Sequence, residues 1–224
     1  MMVIEVIYPE FQNIYADLYR VEFLKRCNSN IKVVYTKYND KPYFVDNHVD
    51  MIFISSMPDS KIIPAIEKLT KYKEKIKEMI ENNVFFLITG NALEIFSTRI
   101  SEKDKSYDGL GLFSYSIEKN MEKKYVSWYL GKYEDIEIIG HKNQFSICKN
   151  IENHFIDTIN GYSSDLENLN EGIHYKNFYA TYLLGPFLVM NPYFTKRLLR
   201  ELKVDDKLIY EEDLINAYKA RIAH

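Results

Sequence analysis

Apolar positions in the first half of the chain alternate between strand-like runs and helix-like spacings. Short apolar runs are followed by segments in which apolar residues recur every three or four positions. Strands separated by helices are typical of a mainly parallel central sheet with helices on both faces. The predicted elements are strands at 3–8, 31–36, 51–55 and 84–88, and helices at 13–27, at 65–82 and, briefly, from Ala92.

The second half of the chain has more strand-like runs and fewer helices. Its first three strands are expected to form an antiparallel extension of the same sheet. No repeat or linker-like segment divides the sequence, so a single α/β domain spanning 1–224 is expected. The predicted elements are strands at 109–117, 123–130, 136–147 and 175–184, a polar loop at 160–172, and closing helices at about 192–202 and 211–222.

Composition and charge narrow the classes of function. The 224 residues carry 29 Lys and Arg against 32 Asp and Glu, and no stretch gathers the basic charge that binds nucleic acid. Cys27 and Cys148 are too few for a disulfide framework, and the five histidines lack metal-ligand spacing, so no metal or cofactor is expected. Apolar runs fall far short of the ~20 residues of a membrane span. Without a visible signal peptide, a cytoplasmic location is expected.

Candidate chemistry lies where strands end, because ligands of open α/β sheets bind beyond the carboxyl ends of the strands. Thr89 stands where a predicted strand meets a tight turn and a helix. Such a junction can form a nucleophile elbow, which pushes the side chain into the cleft. The alternative is that Gly90 simply makes a tight turn between strand and helix.

A long segment near the end of the chain carries a resemblance to a known family. Residues 171–192 read EGIHYKNFYATYLLGPFLVMNP. They resemble class I glutamine amidotransferase domains of the cobyric acid synthase type, in which EG-x-x-Y-K-N leads into a strand ending G-T-Y-L-H-G-P, then N-P and a helix. Within that family the chain looks most like the glutaminase subunits of lipid II isoglutaminyl synthases. The resemblance implies a flavodoxin-like, class I glutamine amidotransferase-like fold.

Earlier segments follow the order of the family's motifs. Asn13, Tyr15 and Asp17 match an N-x-Y-x-D motif before the first helix, and Asp17 corresponds to an acid near the active site. The alternative is that Asp17 is a capping or first-turn charge at the start of the helix. Residues 138–146 fall on a G-F-E-N-H motif, although residues 151–154 imitate it as well. The remaining matches are 51–59 on the strand before a glycine triplet, 85–96 on the C-G-G-Y-Q elbow and 109–113 on a G-L-G segment.

Departures from the family pattern fall on the catalytic positions. Class I glutaminases use a cysteine nucleophile paired with a histidine that takes and returns the proton. Thr89 stands at the cysteine position and Leu184 at the histidine position. Leucine cannot accept a proton, and a threonine hydroxyl without a base is a poor nucleophile. The sequence therefore predicts that glutaminase chemistry is lost.

The binding positions are also altered. The glycine triplet, whose amides would face an oxyanion, reads Ser55-Ser56-Met57, followed by Pro58 without an N–H. Gly90 retains one position that could supply an amide donor. The resemblance places Asn143 and Gln144 at the same pocket. These residues are the candidates for a vestigial site for glutamine or another small molecule.

The leading hypothesis is a glutamine amidotransferase-like protein without glutaminase activity. The resemblance implies a partner, a Mur-ligase-like, ATP-using synthetase that acts on a peptidoglycan precursor. One alternative is an active glutaminase or amidohydrolase with relocated residues, drawn from Thr89, Asp17, His141 and a Cys148–His154 pair. Another is an unrelated α/β module that binds proteins through aromatic surfaces.

Overall fold

The computed structural model describes residues 1–12 and 17–223 and contains three β-sheets and six α-helices within those ranges. The strands are β1 Met2–Ile7, β2 Ile31–Thr36, β3 Met51–Ile54, β4 Phe85–Thr89, β5 Arg99–Glu102, β6 Lys105–Asp108, β7 Ser116–Lys119, β8 Tyr125–Tyr133, β9 Ile136–Gln144, β10 Ser146–Lys149, β11 Ile156–Asn160, β12 Asn170–Glu171, β13 Ile173–Tyr175 and β14 Phe178–Thr181. The helices are α1 Tyr19–Cys27, α2 Asp59–Thr70, α3 Lys73–Glu81, α4 Phe187–Met190, α5 Pro192–Glu201 and α6 Glu211–Ile222, with 3₁₀ turns at Pro9–Phe11, Tyr43–Val45 and Gly90–Phe96.

The central sheet has six strands in the order β13-β14-β4-β3-β1-β2. Every neighbouring pair runs parallel except the edge hairpin of β13 and β14. This arrangement confirms the predicted α/β class with a mainly parallel central sheet and flanking helices.

Both faces of the central sheet are buried, which explains why its strands are apolar throughout. Successive side chains point to opposite faces. In β3, Ile52 and Ile54 join the apolar cluster that includes α2 and α3. Met51 and Phe53 join the cluster on the other face, which includes α1, α4 and α5.

The antiparallel strands of the second half form two further sheets, ordered β10-β7-β5-β6 and β12-β11-β8-β9. The prediction that strands at 109–117, 123–130 and 136–147 extend the central sheet is therefore wrong. The physical reason is that β8 and β9 pair with each other over their full nine residues. The edge of the central sheet is instead taken by β13, which returns on β14 in a hairpin. The strand predicted at 175–184 covers the end of β13, the turn and β14 of this hairpin, and the strand ends at Thr181.

Helix boundaries also differ from the sequence prediction. The helix expected at 65–82 begins at Asp59 and is split into α2 and α3 at Lys71-Tyr72. Apolar residues keep their helical spacing across this break, so the sequence alone predicts one continuous helix. Pro64 lies inside α2, where it removes the hydrogen bond to the carbonyl of the exposed Ser60. The predicted helix start at Asn13 lies outside the described residues, as does Tyr15.

The two closing helices are confirmed as α5 and α6. The short helix expected from Ala92 is a 3₁₀ turn that begins at Gly90. In the part of the chain that the structure describes, no helix is both long and apolar enough to cross a membrane.

Candidate functional site

Three segments named from the sequence meet at the carboxyl edge of the central sheet. Strands β4 and β14 are parallel neighbours, with Thr89 opposite Thr181. Leu184 follows three residues later, and the loop after β3 carries Ser56. A Cβ built on Gly90 would collide with Ser56 Oγ and lie 3.0 Å from Leu184 Cδ2. The residues that the resemblance assigns to the nucleophile, the histidine and the glycine loop therefore lie side by side.

The turn after β4 places its left-handed residue at Gly90, with φ +62°. Glycine suits this position for two reasons, its positive φ and the contact with Ser56. Thr89 is extended, with φ −133° and ψ 153°, and is fully buried. Thr89 does not line the adjacent cavity. Of the two interpretations of this junction, the geometry fits the tight turn made by Gly90 and not an elbow that pushes residue 89 into the cleft.

The hydroxyl of Thr89 accepts a hydrogen bond from Nη1 of Arg20, a fully buried residue of α1. Arg20 Nε also donates to the Gly185 carbonyl at 2.7 Å, and Nη2 lies 2.7 Å from Asp17 Oδ1. Burial lowers the pKa of Arg20 and outweighs the Asp17 carboxylate, which raises it, so that the pKa falls to about 10. The guanidinium is thus charged at neutral pH, and it joins α1, the end of β4 and the loop after β14.

Asp17, the acid expected near the active site, lies in this network as the ion-pair partner of Arg20. Sequence reasoning missed Arg20 itself. The available signal was the spacing of an acid and a base three positions apart at the start of a helix.

The altered glycine loop is held by hydrogen bonds of its own. The Met57 N–H donates to Asn91 Oδ1 at 3.0 Å, and Asn91 Nδ2 donates back to the Met57 carbonyl at 2.8 Å. Ser55 Oγ donates to Gln12 Oε1 at 3.1 Å. An oxyanion hole needs N–H groups that point at the developing charge. The Met57 amide is already engaged in a hydrogen bond.

A cavity of about 130 Å³ lies beside this loop. Its walls include six of the residues predicted from the sequence to form the site, namely Ser56, Met57, Gly90, Asn143, Gln144 and Leu184. Ser56 Oγ and Gln144 Oε1 are buried and have no hydrogen-bond partner among the described residues. Buried polar atoms are normally paired, so these two atoms are suited to contact a bound molecule.

An ionic cluster that sequence reasoning missed borders the same cavity. Glu94 is almost fully buried and accepts hydrogen bonds from Ser146 Oγ at 2.7 Å and Tyr182 OH at 3.2 Å. Lys119 Nζ lies 3.0 Å from Glu94 and 2.6 Å from Asp59. Burial lowers the pKa of Lys119, but Glu94 and Asp59 outweigh it and the pKa is raised. Lys119 is therefore a cation and not a base.

The hypothesis of a relocated Cys148–His154 pair requires a reactive thiolate, and the environment of Cys148 disfavours one. Cys148 is fully buried, and burial raises the pKa of its thiol well above the usual range. His154 Nε2 lies 2.7 Å from the Asp157 carboxylate. His141 contacts Leu184 through its main chain, whose carbonyl accepts the Leu184 N–H at 2.9 Å.

His174 belongs to an aromatic cluster, and its burial predicts a pH dependence of stability. Its ring stacks on Tyr179 with centroids 4.5 Å apart, and burial lowers the pKa of the imidazole. Near pH 6.5 the imidazole therefore binds a proton more readily in the unfolded chain than in the folded protein. The contribution of the neutral His174 ring to the free energy of unfolding is complete above that pH and is lost as the pH falls. We expect the urea midpoint to fall less between pH 7.5 and 5.5 in His174→Gln than in the wild type. Equal slopes would contradict this prediction.

Comparisons with known proteins identify similar sequences and similar folds. No family model matches the chain. It is 28% identical to subunit GatD of lipid II isoglutaminyl synthase (glutamine-hydrolyzing) from Staphylococcus aureus strain N315, over 84% of this chain and 79% of the relative. Identity to the GatD subunit from Streptococcus pneumoniae strain ATCC BAA-255 / R6 is 24%, over 86% and 77%.

Solved structures show the same fold at low identity. PurLQS from Thermotoga maritima has a TM-score of 0.60 at 13% identity, covering 99% of both chains. A glutamine amidotransferase from Thermotoga maritima has a TM-score of 0.58 at 11% identity, covering 98% of this chain and 92% of the other. The fold is thus that of glutamine amidotransferases.

Proposed function

We propose that this chain, a class I glutamine amidotransferase-like domain, is a non-catalytic cytoplasmic subunit of a lipid II amidation system, paired with a Mur-ligase-like synthetase. The observation that carries the proposal is the Arg20 guanidinium bonded to the Thr89 hydroxyl, beside Leu184. The similarity to subunits named for lipid II isoglutaminyl synthase supports the choice of system.

Amide hydrolysis needs a nucleophile, a proton acceptor and donors for the oxyanion. The Thr89 hydroxyl faces a cation, which cannot take its proton. Leu184 offers no lone pair at the histidine position, and the Met57 N–H is held by Asn91. The nucleophile and proton-acceptor positions thus hold groups of the wrong chemistry, and one candidate oxyanion donor is already engaged.

The cavity beside the loop is proposed as a vestigial small-molecule site. Ser56 Oγ can donate to a ligand acceptor, and Gln144 Oε1 can accept from a ligand N–H or O–H. Glutamine presents both kinds of group in its side-chain amide. Because Thr89 does not line this cavity, a molecule bound there would not be attacked by the residue at the nucleophile position.

A glutaminase assay tests the loss of activity. We expect the purified chain to release no ammonia from glutamine above a heat-killed control, with the Staphylococcus aureus relative as the positive control. Thr89→Cys with Leu184→His should stay inactive, because Arg20 and the Asn91–Met57 contact remain. Ammonia release by the wild type that disappears in Cys148→Ala would refute the proposal and support a relocated active site.

A separate experiment tests the partner. The tagged chain, co-expressed with the Mur-ligase-like synthetase of the same organism, should co-elute with it as one complex in size-exclusion chromatography. Two separate peaks at micromolar concentrations would refute this part of the proposal.

A further inference from the structure

Exposed apolar side chains are concentrated on the sheet formed by β12, β11, β8 and β9. Trp128 in β8 is the chain's single tryptophan, and it is 75% exposed. Val126 in the same strand is 49% exposed, and Ile159 in β11 is 57% exposed. Tryptophan is highly buried on average, so an exposed indole that lies among other exposed apolar side chains indicates an interaction surface.

Strand register places these side chains on one face. Val126 and Trp128 are two residues apart in β8, so they point the same way. A register shift between Thr158 and Asn160 leaves Ile159 at a bulge beside the Leu130–Asn160 pair, and Leu130 is again two residues from Trp128. We call this surface, made by Val126, Trp128, Leu130 and Ile159, the outer face.

The opposite face of β8 is used by the protein's own core. Tyr129 and Tyr133 are buried, and Tyr129 OH lies 2.9 Å from Thr158 Oγ1. Because the inner face holds the sheet against the rest of the protein, the outer face is left without a partner within the described residues. The Trp128 ring lies in an edge-to-face arrangement with the ring of His141, with 5.6 Å between the two centroids.

The outer face continues to the rim of the cavity. Asn143, which lines the cavity, pairs with Val126 across β8 and β9. Lys124 also lines the cavity, and Lys123 precedes it, both exposed. Neither ammonium forms an ion pair with the residues that the structure describes. Lys123 lies over the ring of Tyr125, and Lys124 lies over the ring of Phe145. The surface therefore combines an apolar centre with the Lys124 cation at the cavity rim and the Lys123 cation next to it in sequence.

We propose that the outer face is the docking surface for the synthetase subunit, with Trp128 as its anchor. The partner chemistry that fits is an apolar pocket for the indole, flanked by carboxylates that face Lys123 and Lys124. This inference rests on the proposed function for the existence of that subunit. Buried aromatic anchors carry most of the energy of protein interfaces, and charges at the rim set the rate and salt dependence of association. Docking there covers the mouth of the cavity.

Binding of the purified synthetase, measured by biolayer interferometry, tests the surface. Trp128→Ala should weaken binding by roughly 30-fold or more, as expected for an anchor residue. Lys123→Glu with Lys124→Glu should slow association and flatten its salt dependence. Tyr35→Ala is the matched control, because Tyr35 is a 43% exposed aromatic on β2, the far edge of the central sheet. It should change the affinity less than about threefold, and all variants should keep the wild-type melting temperature.

The single tryptophan allows a direct readout. In a chain labelled with 5-fluorotryptophan, the one ¹⁹F resonance should shift or broaden when the synthetase is added. Synthetase binding that is unchanged by Trp128→Ala would overturn the docking surface while the proposed partnership stands. Absence of wild-type binding would overturn both. A wild-type dimer that dissociates in Trp128→Ala, or Trp128-dependent binding to vesicles of anionic lipid, would assign the outer face to another occupant and overturn the inference.

Discussion

Replacing Arg20 with Met is expected to lower the free energy of unfolding by about 3–5 kcal/mol. Methionine fills a similar volume but carries no charge and no donors. The change leaves the fully buried Asp17 carboxylate without its cation and the Gly185 carbonyl without its donor. Breaking a buried ion pair by removing one partner is costly because the remaining charge is uncompensated in a low dielectric.

Two variants separate this effect from a general loss of helix stability. Arg26→Met changes an exposed arginine on the same helix and should shift the free energy by no more than about 0.5 kcal/mol. Arg20→Met with Asp17→Asn removes both charges and should be more stable than Arg20→Met alone. Equilibrium urea unfolding followed by circular dichroism measures all three. A loss below about 1 kcal/mol for Arg20→Met would show that the network contributes little to stability.

Arg20 explains how the carboxyl edge of the central sheet can be stable with threonine at position 89 and leucine at position 184. Strand ends at a sheet edge leave carbonyl groups and side chains that need partners. Here the guanidinium supplies donors to the Thr89 hydroxyl and the Gly185 carbonyl from one rigid fork. The guanidinium that donates hydrogen bonds to these buried groups also occupies the space beside them. The same contacts that stabilise the fold therefore oppose chemistry at residue 89.

The central sheet was predictable because burial on both faces produces continuous apolar runs, as at 84–88. The hairpin of β5 and β6 was not predictable, because its residues are mostly polar and they form strands through pairing with each other. The division into separate sheets depends on long-range pairing between β8 and β11. Strand β11 ends where the predicted polar loop at 160–172 begins, so the sequence pattern does not indicate it as a strand. Periodicity along the chain carries no information about such partners.

The site could be placed from the sequence, but its internal contacts could not. Family-like motifs bring Thr89, Leu184 and the loop after β3 into register, and the structure sets them side by side. Arg20 belongs to no such motif, and its spacing from Asp17 is a weak signal, because an arginine in a helix that also carries Lys25 and Arg26 resembles solvent-exposed charge. Asn91 is similar, since its clamp on Met57 depends on how two loops approach each other.

Lys142 provides the second large effect, because its ammonium forms a fully buried ion pair with Glu171. Burial lowers the pKa of Lys142, while the Glu171 carboxylate raises it. Glu171 also accepts hydrogen bonds from Thr181 Oγ1 at 2.6 Å and the Tyr182 N–H at 2.8 Å. The pair thus ties β9 and β12 to the end of β14, and it fixes the sheet that carries Trp128 against the central sheet.

We expect Lys142→Met to cost about 3–5 kcal/mol in urea unfolding, since it leaves the Glu171 charge buried without a cation. Adding Glu171→Gln should recover part of the loss, because the amide oxygen can still accept from Thr181 and Tyr182 without a charge. Lys132→Met, an exposed lysine of the neighbouring strand β8, is the control and should stay within about 0.5 kcal/mol. If the double variant is less stable than Lys142→Met, electrostatic compensation is not what holds these sheets together. In that case packing around the Lys142 side chain, between the Tyr129 and Tyr182 rings, must supply the stability instead.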